Sequence, residues 1–242
     1  MITACDACPL RQLDVFRRLP AEQVAFIQSM KRGERGYEAG ATLVKEGARN
    51  AELFTVLDGW AFRYKTLEDG SRQILNFLLP GDLIGLQKQM EGESPHGVEA
   101  LTEMHACVLD GGRLWSLYTN FPSLAHDVTW LACTEQSIVD ENLLSVGQRS
   151  ALRRVAALLH MLHARVRELT VAGSMPILLP LTQQHIADAL GLSVVHTQRT
   201  LRALRARKVV DSSRGAVQVI DEAALMHLAG ATAQAPVPRA LL

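Results

Sequence analysis

Apolar and polar positions change rhythm several times along the chain. Between Pro20 and Lys31 the residues Val24, Phe26, Ile27 and Met30 recur at helical spacing and predict a short helix. From Gly33 to about Leu114 glycines are frequent and apolar runs are short. Leu53–Leu57 is followed by Asp58-Gly59 and then by Trp60–Tyr64, and a Glu68-Asp69-Gly70 turn leads into Gln73–Leu78. Pro80-Gly81-Asp82 closes that run before Leu83-Ile84-Gly85-Leu86 resumes it. Short strands joined by Asp-Gly-type turns predict an antiparallel sandwich or barrel.

After Pro122 no glycine or proline intervenes before Gly147, and the spacing is helical through Gln148. Leu124, Val128, Leu131 and Ile138 lie near one face, and Val139, Leu143 and Val146 continue it with a one-residue shift. Glu135 and Asn142 interrupt this seam, so the pattern reads equally as a dimer seam or as a helix packed on its own sandwich. Ser150–Leu169 is a further amphipathic helix, with Leu152, Val155, Ala156, Leu159, Leu162 and Val166 on its apolar face. Thr170–Pro180 is a Gly/Pro-containing connection.

The segment that follows carries the most specific pattern. Thr182–Leu190 reads as a short helix with Ile186, Ala187 and Leu190 facing in. Ala187 is small where a second helix must cross closely, and Gly191 permits the positive φ of a sharp turn. Leu192 fills the angle, and Ser193 caps a second helix running to about Arg207. In that helix Leu201 and Leu204 face inward, with Val194 and Thr197 nearer the turn, whereas Val195, His196, Gln198, Arg199 and Arg202 point outward. The outward N-terminal part of such a helix fits the major groove. Arg199 can bridge guanine O6 and N7, and Gln198 can pair with adenine. Thr182, His196 and Arg202 suit phosphate contacts, which position without specifying. Lys208–Val219 reads as two short strands about a polar turn, a wing with Arg214 at its tip.

The 242 residues suffice for two domains, and the 48% hydrophobic content excludes a disordered chain. No run of 18 apolar residues occurs and Met1–Pro9 lacks a signal-peptide pattern, so a cytoplasmic protein without a membrane partner is expected. Net charge is zero, but between Ser150 and Ile220 ten Arg and Lys stand against three Asp and Glu, a local charge of +7. That asymmetry fits a polyanion partner or a solvated basic face. No nucleophile–base arrangement or phosphate-cradling glycine loop is visible, so catalysis is not expected.

Four cysteines are present, Cys5, Cys8, Cys107 and Cys133. In a cytosolic chain a Cys-x-x-Cys pair reads as a metal or redox feature before a structural disulfide. Cys133, on the long helix, reads as a packed thiol.

A glycine-rich β-roll, a long helix and a winged helix-turn-helix in this order resemble the Crp/Fnr family of bacterial regulators over nearly the whole chain. The marks are Leu57-Asp58-Gly59-Trp60, Pro80-Gly81-Asp82-Leu83-Ile84-Gly85, and Leu181–Ala187 with Gly191-Leu192-Ser193. The resemblance implies an α+β fold: an N-terminal cyclic-nucleotide-binding-like β-roll (jelly roll), a long dimerisation helix and a C-terminal winged helix-turn-helix. The corresponding divisions are an arm with Cys-x-x-Cys over 1–19, the sensory β-roll over 20–120, the dimerisation helix over 121–148, the DNA-binding domain over 149–232 and a tail over 233–242. It also implies a homodimer on a pseudo-palindromic double-stranded DNA operator, with RNA polymerase as partner if the protein activates.

Cyclic AMP is not expected, because Leu86 follows Gly85 where that branch has glutamate, and its Arg-Ser pair falls near His96-Gly97. The oxygen-sensing Fnr branch is more similar. There, three N-terminal cysteines and one in the β-roll hold an iron–sulfur cluster, of [4Fe-4S] type where present. Cys5, Cys8 and Cys107 match three of these ligands, and Asp14 stands near the place of the missing one. The cysteines also admit zinc, a redox-active pair or no cofactor, which would make this a thiol-based or cofactor-free regulator under another signal or controlled by abundance. In the recognition helix the family's Glu-x-x-Ser-Arg becomes Val195-His196-Thr197-Gln198-Arg199, so the half-site is expected to differ in part.

Overall fold

The computed structural model describes residues 3–49, 52–170, 176–213, 215–232 and 237–242. Two compact units emerge: one from 1–65, 77–137 and 237–242, the other from 66–76 and 138–236.

The first unit begins with two 3-10 turns, Cys5–Ala7 and Pro9–Gln12, and helix α1 (Ala21–Met30). Among the described residues eight strands follow along the chain: β1 (Lys31–Tyr37), β2 (Thr42–Val44), β3 (Glu52–Asp58), β4 (Ala61–Thr66), β5 (Arg72–Leu78, of which all but the last two residues are assigned to the second unit), β6 (Leu83–Ile84), β7 (Gly97–Ala100) and β8 (Met104–Asp110). They form two four-stranded sheets, ordered β1-β8-β3-β6 and β2-β7-β4-β5, the expected antiparallel roll. Helix α2 (Leu86–Glu91) interrupts the strands between β6 and β7. The resumed strand expected over Leu83–Leu86 is therefore cut short: Gly85 adopts φ 96°, a left-handed conformation that ends extended pairing and opens α2.

Alternation along β8 sorts two cores. Met104, Ala106 and Val108 point between the sheets and meet Phe54, Val56, Leu78 and Val98. Cys107 and Leu109 point the other way, to a core shared with Leu53, Ile27, Met30, Leu117, Leu124 and Val128. Helices α1, α3 (Leu114–Asn120) and the start of α4 (Pro122–Gln148) supply that second core. Strand pleat alone thus delivers Cys107 to the side where the N-terminal turns lie, and Cys5 joins the same core.

Helix α4 matches the range expected from its spacing, and its polar interruptions have specific partners. The buried Arg63 guanidinium lies 3.1 Å from the Glu135 carboxylate. Asn142 Nδ2 donates to the Leu75 carbonyl at 2.8 Å. Leu143 and Leu144 are exposed, at 70% and 47%. Cys133 is exposed as well, correcting the expectation of a packed thiol, because its position on α4 faces away from the core.

The second unit contains α5 (Ala151–Glu168), a two-residue strand β9 (Leu178–Leu179), α6 (Gln183–Leu190), α7 (Val194–Ala206), strands β10 (Val210–Ser213) and β11 (Ala216–Val219), and α8 (Glu222–Ala229). Val155, Ala156, Leu159 and Leu162 form the buried face of α5, which packs on α7 and α8. Strands β10, β11 and β9 make the wing sheet. The sequence reading omitted β9 and α8. A two-residue strand has no periodicity to detect, but the Asp221 side chain accepts from Ala224 N, an N-cap signal that was available. No described helix is long and apolar enough to cross a membrane.

Candidate nucleic-acid interface and thiol cavity

The two helices of the turn are fixed at both ends by side chains. Thr182 Oγ1 accepts from His185 N at 3.2 Å, and His185 Nδ1 accepts from Thr182 N at 3.3 Å, a capping box with imidazole as the returning acceptor. Burial, and then the nearby Arg72 charge, lower the His185 pKa and keep it in the neutral form that this acceptor role needs. At the other end Gly191 takes φ 60°, and its N–H bonds the Ala187 carbonyl. The Ala189 carbonyl accepts from Gln73 Nε2 at 3.0 Å and the Leu190 carbonyl from Arg154 Nη1 at 3.2 Å. Helix-end carbonyls without an intrahelical partner are thus satisfied from elsewhere in the unit. Sequence reasoning missed both donors, since they lie 116 and 36 residues away.

Ser193 caps α7 by accepting from His196 N at 3.2 Å. Thr197, Thr200, Leu201 and Leu204 form its buried face. Val194, read with Thr197 as the part of the inward face nearer the turn, is instead 38% exposed. As the first residue after the cap it falls at the edge of the buried stripe. Val195, His196, Arg199 and Arg202 are exposed and Gln198 is half-buried. Val195, Arg199 and Arg202, spaced i, i+4, i+7, fall on one outward stripe. Thr182 is exposed at the α6 cap. Arg214 lies outside the described residues.

In the first unit Cys5, Cys8 and Cys107 come together as walls of one cavity of about 20 Å³, shared with Arg11, Lys31, Leu241 and Leu242. All three thiols are buried. The Cys-x-x-Cys segment is held by Gln28 Oε1, which accepts from Cys5 N at 2.7 Å, and by Arg11 Nε, which donates to Cys5 O at 2.9 Å. Burial pushes the Cys5 and Cys107 thiols above the usual range, although Lys31 works against it in both. Burial also opposes the Lys31 ammonium, but its hydrogen bond to Glu34 and the neighbouring Cys107 outweigh it and raise the Lys31 pKa. Lys31 and Arg11 were not anticipated: Arg11, close after Cys8, was an available signal, whereas Lys31 is far from every cysteine in sequence and reaches Cys107 only through the pairing of β1 with β8.

Asp14 is exposed and does not line this cavity. A space of about 20 Å³ holds roughly one water. Among the described residues no group of three or more His, Cys, Asp or Glu is arranged to hold a metal ion. Three thiols beside two cations have the chemistry of a thiolate site, but with Leu241 and Leu242 in place the arrangement does not fit an iron–sulfur cluster.

Residues 34–121 match the family described as the cyclic nucleotide-binding domain, and residues 153–228 match the Crp-like helix-turn-helix domain. The nitrogen fixation regulation protein FixK of Bradyrhizobium diazoefficiens is 30% identical over 228 residues, covering 94% of each chain. The transcriptional activator protein FnrL of Cereibacter sphaeroides is 29% identical, covering 93% of this chain and 92% of its own. The solved structure of FixK2 from Bradyrhizobium japonicum superposes with a TM-score of 0.70 at 26% identity, covering 84% of this chain and 98% of that one. Identity of this degree, sustained across both matched domains, settles the relationship: the chain belongs to the Crp/Fnr family of transcription regulators.

Proposed function

We propose that this regulator acts in the cytoplasm as a homodimer on a pseudo-palindromic operator in double-stranded DNA. Val195, His196, Gln198 and Arg199 enter the major groove, Arg199 on guanine and Gln198 on adenine. His196, together with Thr182, Arg202 and Arg214, contacts phosphate. The observation that carries this reading is the exposed Val195–Arg199–Arg202 stripe on a helix capped and buttressed at its entry. The dimer pairs through α4, whose Leu143 and Leu144 face solvent while Glu135 and Asn142 are engaged elsewhere. Functional divisions follow the sequence reading: arm 1–19, β-roll 20–120, dimerisation helix 121–148, DNA-binding domain 149–232 and tail 233–242. RNA polymerase is a partner where the bound protein activates.

Cys5, Cys8 and Cys107 form the sensory element, and cyclic AMP is not the signal. A change at the thiols alters operator affinity only by as much as it favours one conformation of the dimer over another. Since the closed cavity does not fit a cluster, none is built into this linkage; Asp14 would serve as a fourth ligand only after rearrangement.

Selection of bound duplexes from a random pool tests the reading. A two-fold-related consensus with half-sites one helical turn apart, bound with an affinity that falls steeply with salt, is expected. Salt-insensitive binding without a consensus would contradict it.

A further inference from the structure

Residues Val237–Leu242 follow the DNA-binding unit in sequence but pack in the first unit. Their contacts are those of a seated element. Arg239 lies in a largely buried ion pair, Nη1 3.0 Å from Asp82 Oδ1, with Nη2 donating to the Pro80 carbonyl at 3.2 Å. Its guanidinium stacks 5.1 Å from the centroid of the Phe16 ring. That ring rests directly on Gly81, where a Cβ would lie 2.3 Å from Phe16 Cζ, so the platform requires glycine. The backbone joins as well: Arg239 N donates to Val15 O at 2.9 Å and Arg17 N to Arg239 O at 2.7 Å, a parallel bridge between Phe16 and Arg239.

The two leucines beyond this anchor reach the thiols. Leu241 and Leu242 are 3% and 8% exposed and line the cavity with Cys5, Cys8 and Cys107. Their main-chain oxygens are satisfied by side chains: Arg11 Nη2 donates to Leu241 O at 3.0 Å and Thr55 Oγ1 to Leu242 O at 2.6 Å. Arg11 also donates to Cys5 O, so one guanidinium ties the seated segment to the Cys-x-x-Cys turn. A segment that had merely collapsed onto the surface would have no need of a buried ion pair, a strand-like bridge and two matched acceptors together.

We propose that Val237–Leu242 is a removable plug that seals the thiol cavity, so that the seated segment and any group bound by Cys5, Cys8 and Cys107 exclude one another. This rests on the reading of those thiols as the sensory element. The plug decides which chemistry reaches them: seated, it admits nothing larger than a water; withdrawn, it exposes three thiols flanked by Arg11 and Lys31 to a thiophilic metal ion or an electrophile. The two leucine side chains, the Arg239 ion pair and the hydrogen bonds named above together set the threshold for withdrawal.

The test uses the full chain with Cys133→Ser, removing the exposed thiol that would dominate the signal. Alkylation of Cys5, Cys8 and Cys107 by iodoacetamide is followed peptide by peptide in the metal-free protein. Arg239→Glu, which opposes Asp82, and Leu241→Asp, which places a charge in the cavity, release the segment by independent chemistries. Each should speed alkylation at all three positions by tenfold or more, with far-ultraviolet circular dichroism unchanged. Rates that stay within twofold of the parent in a folded variant would overturn the plug; should one variant fail to fold, the other decides. Operator affinity is measured on the same alkylated samples. Fast alkylation that leaves operator affinity unchanged retains the plug and removes the thiols from signalling, so the two ideas fail separately.

Discussion

Replacing Glu135 with leucine exposes how α4 is held to the roll. The Arg63 side chain is 6% exposed and that of Glu135 24%, with the charged groups 3.1 Å apart. Burial lowers the Arg63 pKa, and the carboxylates of Glu135 and then Asp82 raise it in part. Breaking one side of a buried pair costs about 3–5 kcal/mol, chiefly because the remaining charge stays desolvated. Partial exposure of Glu135 and the continued presence of Asp82 put Glu135→Leu at the lower end, about 3 kcal/mol. Arg63→Met with Glu135→Leu removes both charges and should regain most of that loss, since apolar replacement of a buried pair is often neutral. The three tryptophans, Trp60, Trp115 and Trp130, all belong to the first unit, so their fluorescence during urea unfolding reports on it alone. A loss below about 0.5 kcal/mol for the single variant, or a double variant as unstable as the two singles combined, would refute the role given to this pair.

Three further outcomes follow. Thr182→Ala removes the α6 cap and should cost about 1 kcal/mol in stability of the second unit, measured by hydrogen exchange of the α6 amides; unchanged protection would argue against the cap. Thr197 Oγ1 is buried with no hydrogen-bond partner among the described residues. Thr197→Val should therefore be neutral or stabilising, by up to about 1 kcal/mol in chemical unfolding, and a clear loss would mean that the hydroxyl is used. His96 is held at about 4 by burial, with Arg63 and Lys65 adding to the effect. A depressed histidine contributes stability that is complete above its unfolded value near 6.5 and lost as pH falls toward 4. Between pH 7.5 and 5.5 the first unit should lose about 1 kcal/mol through this group, and His96→Asn should flatten the profile; stability that rises on acidification would contradict the assignment.

What could be read from the chain depended on how local its determinants are. The helix-turn-helix was legible because Gly191, Ser193 and the Ile186–Leu190 spacing act within one or two turns of each other. Cys107 was singled out by the family resemblance alone; the side of β8 on which it lies became legible only from the pleat of the folded strand. The partners of Glu135 and Asn142 were not legible, since Arg63 and Leu75 lie on strands far away in sequence, and a polar residue in an apolar seam looks the same whether it breaks a dimer or anchors a helix. The last six residues were read as a tail, because Arg239-Ala240-Leu241-Leu242 has no periodicity, and only the tertiary seat at Phe16, Asp82 and Thr55 gives it order. Asp14 matched a family position in sequence but not in space: the turn after Gln12 leaves it exposed while Arg11 faces the thiols.

The most direct measurement compares wild-type protein and Arg199→Ala on the selected operator and on a scrambled duplex of equal length and charge, at one fixed salt concentration. A side chain that reads a guanine edge accounts for about 1–3 kcal/mol of discrimination. The variant should therefore lose roughly 5- to 150-fold on the operator and much less on the scrambled duplex. Equal losses on both, which leave the preference unchanged, would reduce Arg199 to a phosphate contact, and unchanged affinity for both duplexes would contradict its placement at the DNA.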